Sequence, residues 1–304
     1  MSFRKRLNDK LVTWKLSGGA KQTLADILER GGRNLMVVIG VSIIVLMVAL
    51  ALLAPVLPIA SPTELNPDVT AHYRPPSLQH LFGTDEVGRD VFSRVLWGAR
   101  VSLSVGTLAV LFSMTIGVVL GLTAGYFGGK VDYLIAGTID LFWTFPAFLL
   151  ALAFAAALGA SLTNVILAIS ISYWAGFARL IRGQALTVRE RLYVEASRAL
   201  GAKNSRIMFT HILPNCLAPL IVWASIGVAD AITIESSLSF LGVGTQPPTP
   251  SWGYMLQRGI NSLEEAPWIA TFPGVAMLFT ILGFNLLGDG LRDVLDPRMK
   301  GLRR

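Results

Sequence analysis

Long stretches without a charged residue alternate along this chain with short polar segments, and that pattern alone predicts its class. Residues 35–57, 101–129, 212–229 and 266–288 contain no Asp, Glu, Lys or Arg. Each is long enough, or nearly so, to cross the hydrocarbon of a bilayer, which takes about 20 apolar residues. Two shorter apolar runs, 141–158 and 162–178, are separated only by Gly159, Ala160 and Ser161, a link that makes them an antiparallel hairpin. The pattern therefore predicts an all-α membrane protein of six transmembrane helices, an even number that leaves both termini on one side.

The polar segments divide the chain further. Residues 1–34 form a tail with an amphipathic stretch from Gln22 to Arg30 suited to a membrane surface. The first transmembrane helix is 35–57. A loop over 58–100 is rich in proline between Pro55 and Pro76 and carries a helical pattern from Asp85 to Leu96, long enough to touch a partner. A five-helix core covers 101–290 and includes a polar loop, 179–211; a second tail covers 291–304. In the second span, Ala109, Ser113, Gly117, Gly121 and Gly125 place a small residue at every fourth position. On a helix this is one smooth stripe, along which a second backbone approaches closely.

Composition agrees with the pattern. Hydrophobic residues make up 53% and charged residues 15% of the 304, against about 25% charged in soluble domains. The basic residues also choose a side, because Lys and Arg are retained preferentially in the cytoplasm. Eight precede residue 35, Lys130 lies between the second and third spans, seven lie between Arg179 and Arg206, and five follow Gly290. The opposite loops hold Arg74, Arg89, Arg94, Arg100 and Arg258. Both termini are expected in the cytoplasm. Lipid headgroups account for the net charge of +7 without a nucleic-acid partner. Cys216, alone within an apolar stretch, rules out a disulfide framework and reads as a small core residue. The first apolar stretch is longer than the core of a secretory leader, so it reads as an uncleaved helix.

The loop 179–211 contains two helical patterns. Leu192, Tyr193, Ala196 and Leu200 share one side of the first, Gly201 stands where a helix end needs a left-handed residue, and Asn204 or Ser205 can cap the second. Ile207, Met208 and Ile212 face one way in that second helix, before Pro214.

Candidate chemistry is sparse. His72, His80 and His211 are dispersed, and no nucleophile elbow, zinc-protease helix or paired carboxylate motif is present, so no catalytic residue and no metal ligand is assigned. Residues 124–131 approach a phosphate-binding loop but have Ala124 for its first glycine and Val131 for the hydroxyl that binds magnesium. Leu16–Gly19 resembles the signature of transporter ATPases without a nucleotide domain before it. Any ATP is therefore handled by another chain. Acids in or beside membrane spans are candidates for function. Asp140 either lines a translocation pathway or pairs with a base at the cytoplasmic interface. Asp230 and Glu235, at the external end of the fifth span, meet either a substrate ammonium group or solvent. The same acids motivate a proton-coupled secondary transporter as an alternative, although the inverted repeats of that class are not visible.

Glu195-Ala196-Ser197, followed by Gly201 and then Leu213-Pro214, resembles the E-A-A loop of permease subunits in binding-protein-dependent ABC importers. Ser197 stands where that pattern has alanine, and His211 where it has isoleucine. Gly83-Thr84-Asp85, Gly88-Arg89-Asp90, Ser93-Arg94, Gly98-Ala99-Arg100, Gln246-Pro247-Pro248-Thr249-Pro250, Trp252-Gly253 and the run Gly288 to Asp293 narrow the likeness. Together they are similar to the second, C-type, permease subunit of dipeptide and oligopeptide importers, from about residue 35 to 298.

The resemblance implies a type I ABC importer permease fold in a bacterial inner membrane. It also implies a heterodimer with a B-type permease, two cytoplasmic ATPase subunits holding ATP and magnesium, an external solute-binding protein, and no cofactor on this chain. The loop with Glu195, Ala196, Ser197, Gly201, Leu213 and Pro214 would dock in an ATPase groove. Glu195 would be fixed by a nearby base or capping group, and Gly201 would permit the bend. The implied cargo is peptide, with nickel complexes, opines or modified peptides as alternatives.

Overall fold

The computed structural model describes residues 31–64 and 71–295; the Gln22–Arg30 stretch and most of the basic residues of both tails lie outside the described residues. Nine helices occur among the described residues: α1 (Leu35–Leu53), α2 (Val91–Phe127), α3 (Gly129–Thr144), α4 (Ala147–Leu158), α5 (Leu162–Arg189), α6 (Leu192–Ala199), α7 (Asn204–Phe240), α8 (Trp252–Ile260) and α9 (Trp268–Leu295). Five of them, α1, α2, α5, α7 and α9, are long and apolar enough to cross a membrane singly. The pair α3 and α4, bent by 88°, qualifies as a sixth passage.

The bend corrects the expectation of one straight span over 141–158. Proline lacks an amide hydrogen and pushes the residue before it out of the helical region. Phe145, ahead of Pro146, is accordingly extended (φ −94°, ψ 138°). Two other helices run further than their apolar stretches. α2 starts at Val91, ten residues before the uncharged run, because the Asp90 carboxylate accepts a hydrogen bond from the Ser93 amide at 2.8 Å and caps it. Its 37 residues extend about 55 Å at 1.5 Å each, well beyond a hydrocarbon core of about 30 Å. α5 likewise continues past residue 178 to Arg189.

The third correction concerns Pro214. The chain does not end a short helix there but passes through it within α7. Residues Met208–Ile212 form a π turn, and the Leu213 amide donates to the Met208 carbonyl five residues back. The wider turn supplies the bond pattern just before a residue that has no N–H to give. Neither Asn204 nor Ser205 caps α7: Lys203 occupies that position without a side-chain bond, and the side-chain oxygen Oδ1 of Asn204 accepts from the Tyr126 hydroxyl at 2.7 Å.

Small residues set the helix contacts. α2 lies along α5, and the stripe faces it: a side chain at Gly117 would collide with Phe177 and Ala178, one at Gly121 with the Ala178 backbone, and one at Gly125 with Ala185 and the Arg182 carbonyl. Ser113 adds a hydrogen bond to the Ser170 carbonyl at 3.1 Å. α1 packs on α9 through Gly40 against Gly283 and Leu287, and through Gly290 against Val37. The start of α1 thus sits beside the last turns of α9. Both ends of the described bundle therefore lie at the end that also carries α6.

The opposite end is built from residues 71–90, the first turns of α2, and α8. Here charged side chains turn inward. Arg89 and Arg94 reach Asp85 at 2.7 and 3.5 Å, with Asp85 and Arg94 only 3% and 2% exposed. Arg258 of α8 reaches Glu86 at 2.8 Å, and His80 meets Asp90 at 3.0 Å. Burial pushes the Glu86 carboxyl up, but the Arg258 hydrogen bond and the nearby guanidinium charges outweigh it and hold Glu86 below its ordinary 4.5. Trp252 and Trp268 donate from their indoles to the Val95 and Thr84 carbonyls, both at 3.0 Å, and Phe82 stacks on Phe272 at 3.8 Å. Gly83 needs its freedom, since it has φ +74° with Trp268 and the Arg74 carbonyl against it.

Candidate functional site

At the α6 end, a short amphipathic helix stands away from the bundle on two anchors. Val194 of α6 and Ile207 and Ile212 of α7 are fully buried. Gly201 (φ +77°) then turns the chain. Its amide donates to Arg198 at 3.0 Å and that of Ala202 to Ser197 at 3.1 Å, which satisfies carbonyls that a helix end otherwise leaves open. Ser197 Oγ lies 3.2 Å from His211 Nε2. The two positions at which the loop departs from the E-A-A pattern therefore touch each other, and together they tie α6 to the π turn. Arg198 stacks over the Tyr126 ring at 5.5 Å, and Arg189 donates to the Gly125 carbonyl at 3.1 Å.

The outer face is apolar. Leu192, Leu200 and Phe209 are 82%, 75% and 57% exposed, with Tyr193 beside them. Ala196 is exposed too, Leu213 is half-buried against the core, and Pro214 is exposed. Glu195 does not pair as expected: among the described residues its carboxylate has no ion pair or hydrogen bond, and it stands at a shallow depression shared with Arg189, Arg198 and Asn204. Arg189 is engaged by Glu190 at 3.0 Å.

The three acids proposed for a pathway have different surroundings. Asp140 on α3 is bonded by Arg179 of α5, just as Asp132 is held by two nitrogens of Arg182. These two pairs fasten α3 to α5, so Asp140 takes the pairing alternative. Glu235 has no exposed surface. Ser239, Ser102 and Ser236 hydroxyls donate to it at 2.8, 3.1 and 3.4 Å, and it joins α2 to α7 inside the protein without lining a passage. Asp140 also lines an open hollow with Asp132 and Arg182, whereas Asp230 opens into a more enclosed cavity and has no basic partner there.

That cavity, of about 390 Å³, lies in the elbow between α3 and α4. Trp143, Phe145, Tyr173 and Trp223 form its walls with Asp230. Among the described residues Asp230 has neither an ion pair nor a hydrogen bond. Trp143 is contacted by Arg179, whose guanidinium carbon is 4.5 Å from the ring centre. The sequence reading missed these aromatic residues. The available signal was Pro146 within an apolar run, directly after Phe142, Trp143 and Phe145.

Residues 124–131, the approximate phosphate loop, are the end of α2 and the α2–α3 turn at Gly128 and Gly129. No strand precedes them, as a phosphate-binding loop requires. Among the described residues no three His, Cys, Asp or Glu side chains gather as metal ligands would.

The family of binding-protein-dependent transport system inner membrane components matches residues 117–301, more than half of the chain. The chain belongs to this family. As an inner membrane component with several membrane-crossing helices, it is a multi-pass inner membrane protein. It is 45% identical over 268 residues to the dipeptide transport system permease protein of Alkalihalophilus pseudofirmus, covering 88% of each chain. It is 41% identical over 296 residues to the probable D,D-dipeptide transport system permease protein of Escherichia coli, covering 97% of this chain and 94% of that one. The glutathione transport system permease protein of Pectobacterium atrosepticum is 45% identical over 225 residues, 74% of this chain and 75% of that protein. All three relatives are transport permease subunits.

Proposed function

We propose that this chain is the C-type permease subunit of an ATP-driven importer that carries di- or oligopeptides from an external binding protein into the cytoplasm. The observation that carries this reading is the exposed apolar face of α6, anchored to the long helices yet uncovered among the described residues. It pairs with a B-type permease, and two ATPase subunits bind ATP and magnesium; this chain hydrolyses nothing and binds no cofactor. The α6 end, with both termini, faces the cytoplasm, where most of the Lys and Arg lie.

α6 fits the helix-in-groove mode of recognition. Its anchors convert a push by the ATPases into a rigid-body tilt of α2, α5 and α7. Glu195, without a partner among the described residues, meets a base on the ATPase. The relatives' printed substrates, dipeptide, D,D-dipeptide and glutathione, support peptide cargo, and the last keeps modified peptides as a second reading.

The complete importer in proteoliposomes tests this. ATP-dependent uptake of labelled dialanine is expected only with the binding protein present, and Glu195→Lys is expected to slow it at least about tenfold while the protein still inserts. Uptake of a nickel chelate without peptide uptake would overturn the peptide reading; uptake driven by a proton gradient without ATP would overturn the whole assignment.

A further inference from the structure

The elbow between α3 and α4 holds a carboxylate facing aromatic rings, with no cation in the described chain to neutralise it. Trp143, Tyr173 and Trp223 line the same space as Asp230. Aromatic faces attract cations through their quadrupoles, most strongly where water is reduced. An acid in or beside a membrane span is costly unless something positive meets it. The other acids nearby are already matched, since Asp140 has Arg179 and Asp132 has Arg182.

The construction is also specific. The break at Phe145–Pro146 turns α4 away by 88° and so opens the space. Gly176 forms part of its floor, where a methyl group would approach Trp143 at 3.2 Å and Trp223 at 3.7 Å. Arg179, itself bonded to Asp140, lies against the Trp143 ring and restrains it before a ligand enters. A cavity of about 390 Å³ is within the usual range of small-molecule sites, roughly 300–1,000 Å³.

We propose that this cavity is a transit subsite for the α-ammonium group of a peptide, with Asp230 as counter-ion and Trp143, Tyr173 and Trp223 as a cation-binding wall. The proposal rests on the peptide-import reading for the identity of its ligand, while the chemistry requires only a primary ammonium.

Equilibrium dialysis on the complete importer in nanodiscs, without the binding protein, tests it with labelled dialanine and N-acetyl-dialanine. The free amine is expected to bind at least about tenfold more tightly than the acetylated peptide, a difference of the size one good charge interaction supplies. Asp230→Asn is expected to remove the discrimination, Asp230→Glu to keep it, and Trp223→Ala to weaken dialanine alone. Equal affinities in the wild type, no dialanine binding, or discrimination surviving in Asp230→Asn would each overturn the proposal. So would equal weakening of both ligands by Asp230→Asn, which marks a purely structural role. Dialanine uptake without discrimination sinks the subsite alone, whereas discrimination without uptake sinks peptide import alone.

Discussion

The two ends of the bundle handle charge and apolar surface in opposite ways. At the end formed by residues 71–90, the first turns of α2 and α8, Asp85, Glu86, Arg89 and Arg94 are drawn inside and paired, and Trp252 and Trp268 satisfy their indole N–H groups. At the α6 end the charges stand outside while Leu192, Leu200 and Phe209 face solvent. The first end matches its charges internally; the second leaves an apolar face uncovered among the described residues. Removing one partner at the first end therefore strands a buried charge, whereas a change on the exposed face of the second leaves the folded core untouched.

That difference can be broken by substitutions, from the largest loss of stability to the smallest. Asp85→Ala leaves Arg89 and Arg94 buried without their shared carboxylate. Breaking a buried pair in this way costs about 3–5 kcal/mol, to be read as a lower melting temperature of the purified subunit. Gly201→Asp puts a side chain at φ +77°, where nothing crowds a Cβ, so the loss is backbone strain alone, about 1–2 kcal/mol. Transport, measured by dialanine uptake, is expected to fall much further than that figure suggests, because the orientation of α6 changes. Ser197→Ala removes the bond to His211 and costs about 1 kcal/mol, with amide exchange rising in α6 before it rises elsewhere.

Acid affects the other end. Glu86 is held below its ordinary 4.5, so it contributes stability above that value, and this is lost as pH falls below 4.5 through its lowered folded value. A pH titration of thermal stability should show the loss, and Glu86→Gln should remove that part of the dependence. Leu200→Glu is the smallest in stability, within about 0.5 kcal/mol as for surface changes generally. Its uptake is nevertheless expected to be among the lowest.

Much of this was legible from residues. The uncharged stretches located the crossing helices, the small-residue stripe located the contact face of α2 without saying that α5 meets it, and Glu195 to Pro214 located the projecting helix. What was misread has one physical source: charge marks where lipid ends, whereas backbone hydrogen bonding decides where a helix ends. α2 begins in the polar sequence before residue 101, where the Asp90 cap supports it, and α5 runs on past residue 178, where Arg182 is held by Asp132 of the neighbouring helix. The elbow at Pro146 was missed for the converse reason. Composition stays apolar through it, and only the missing amide of one proline signals the turn. Glu235 looked like Asp230 in sequence, but three serines from two helices enclose it, a convergence that no local pattern contains.

The most direct measurement is the amount of ATPase subunit that co-purifies with the assembled permease pair when α6 is altered. Leu192→Glu with Leu200→Glu is expected to remove most of the ATPase while the permease retains its melting temperature and membrane insertion. ATPase retained at the wild-type level by that variant would contradict the docking role of α6.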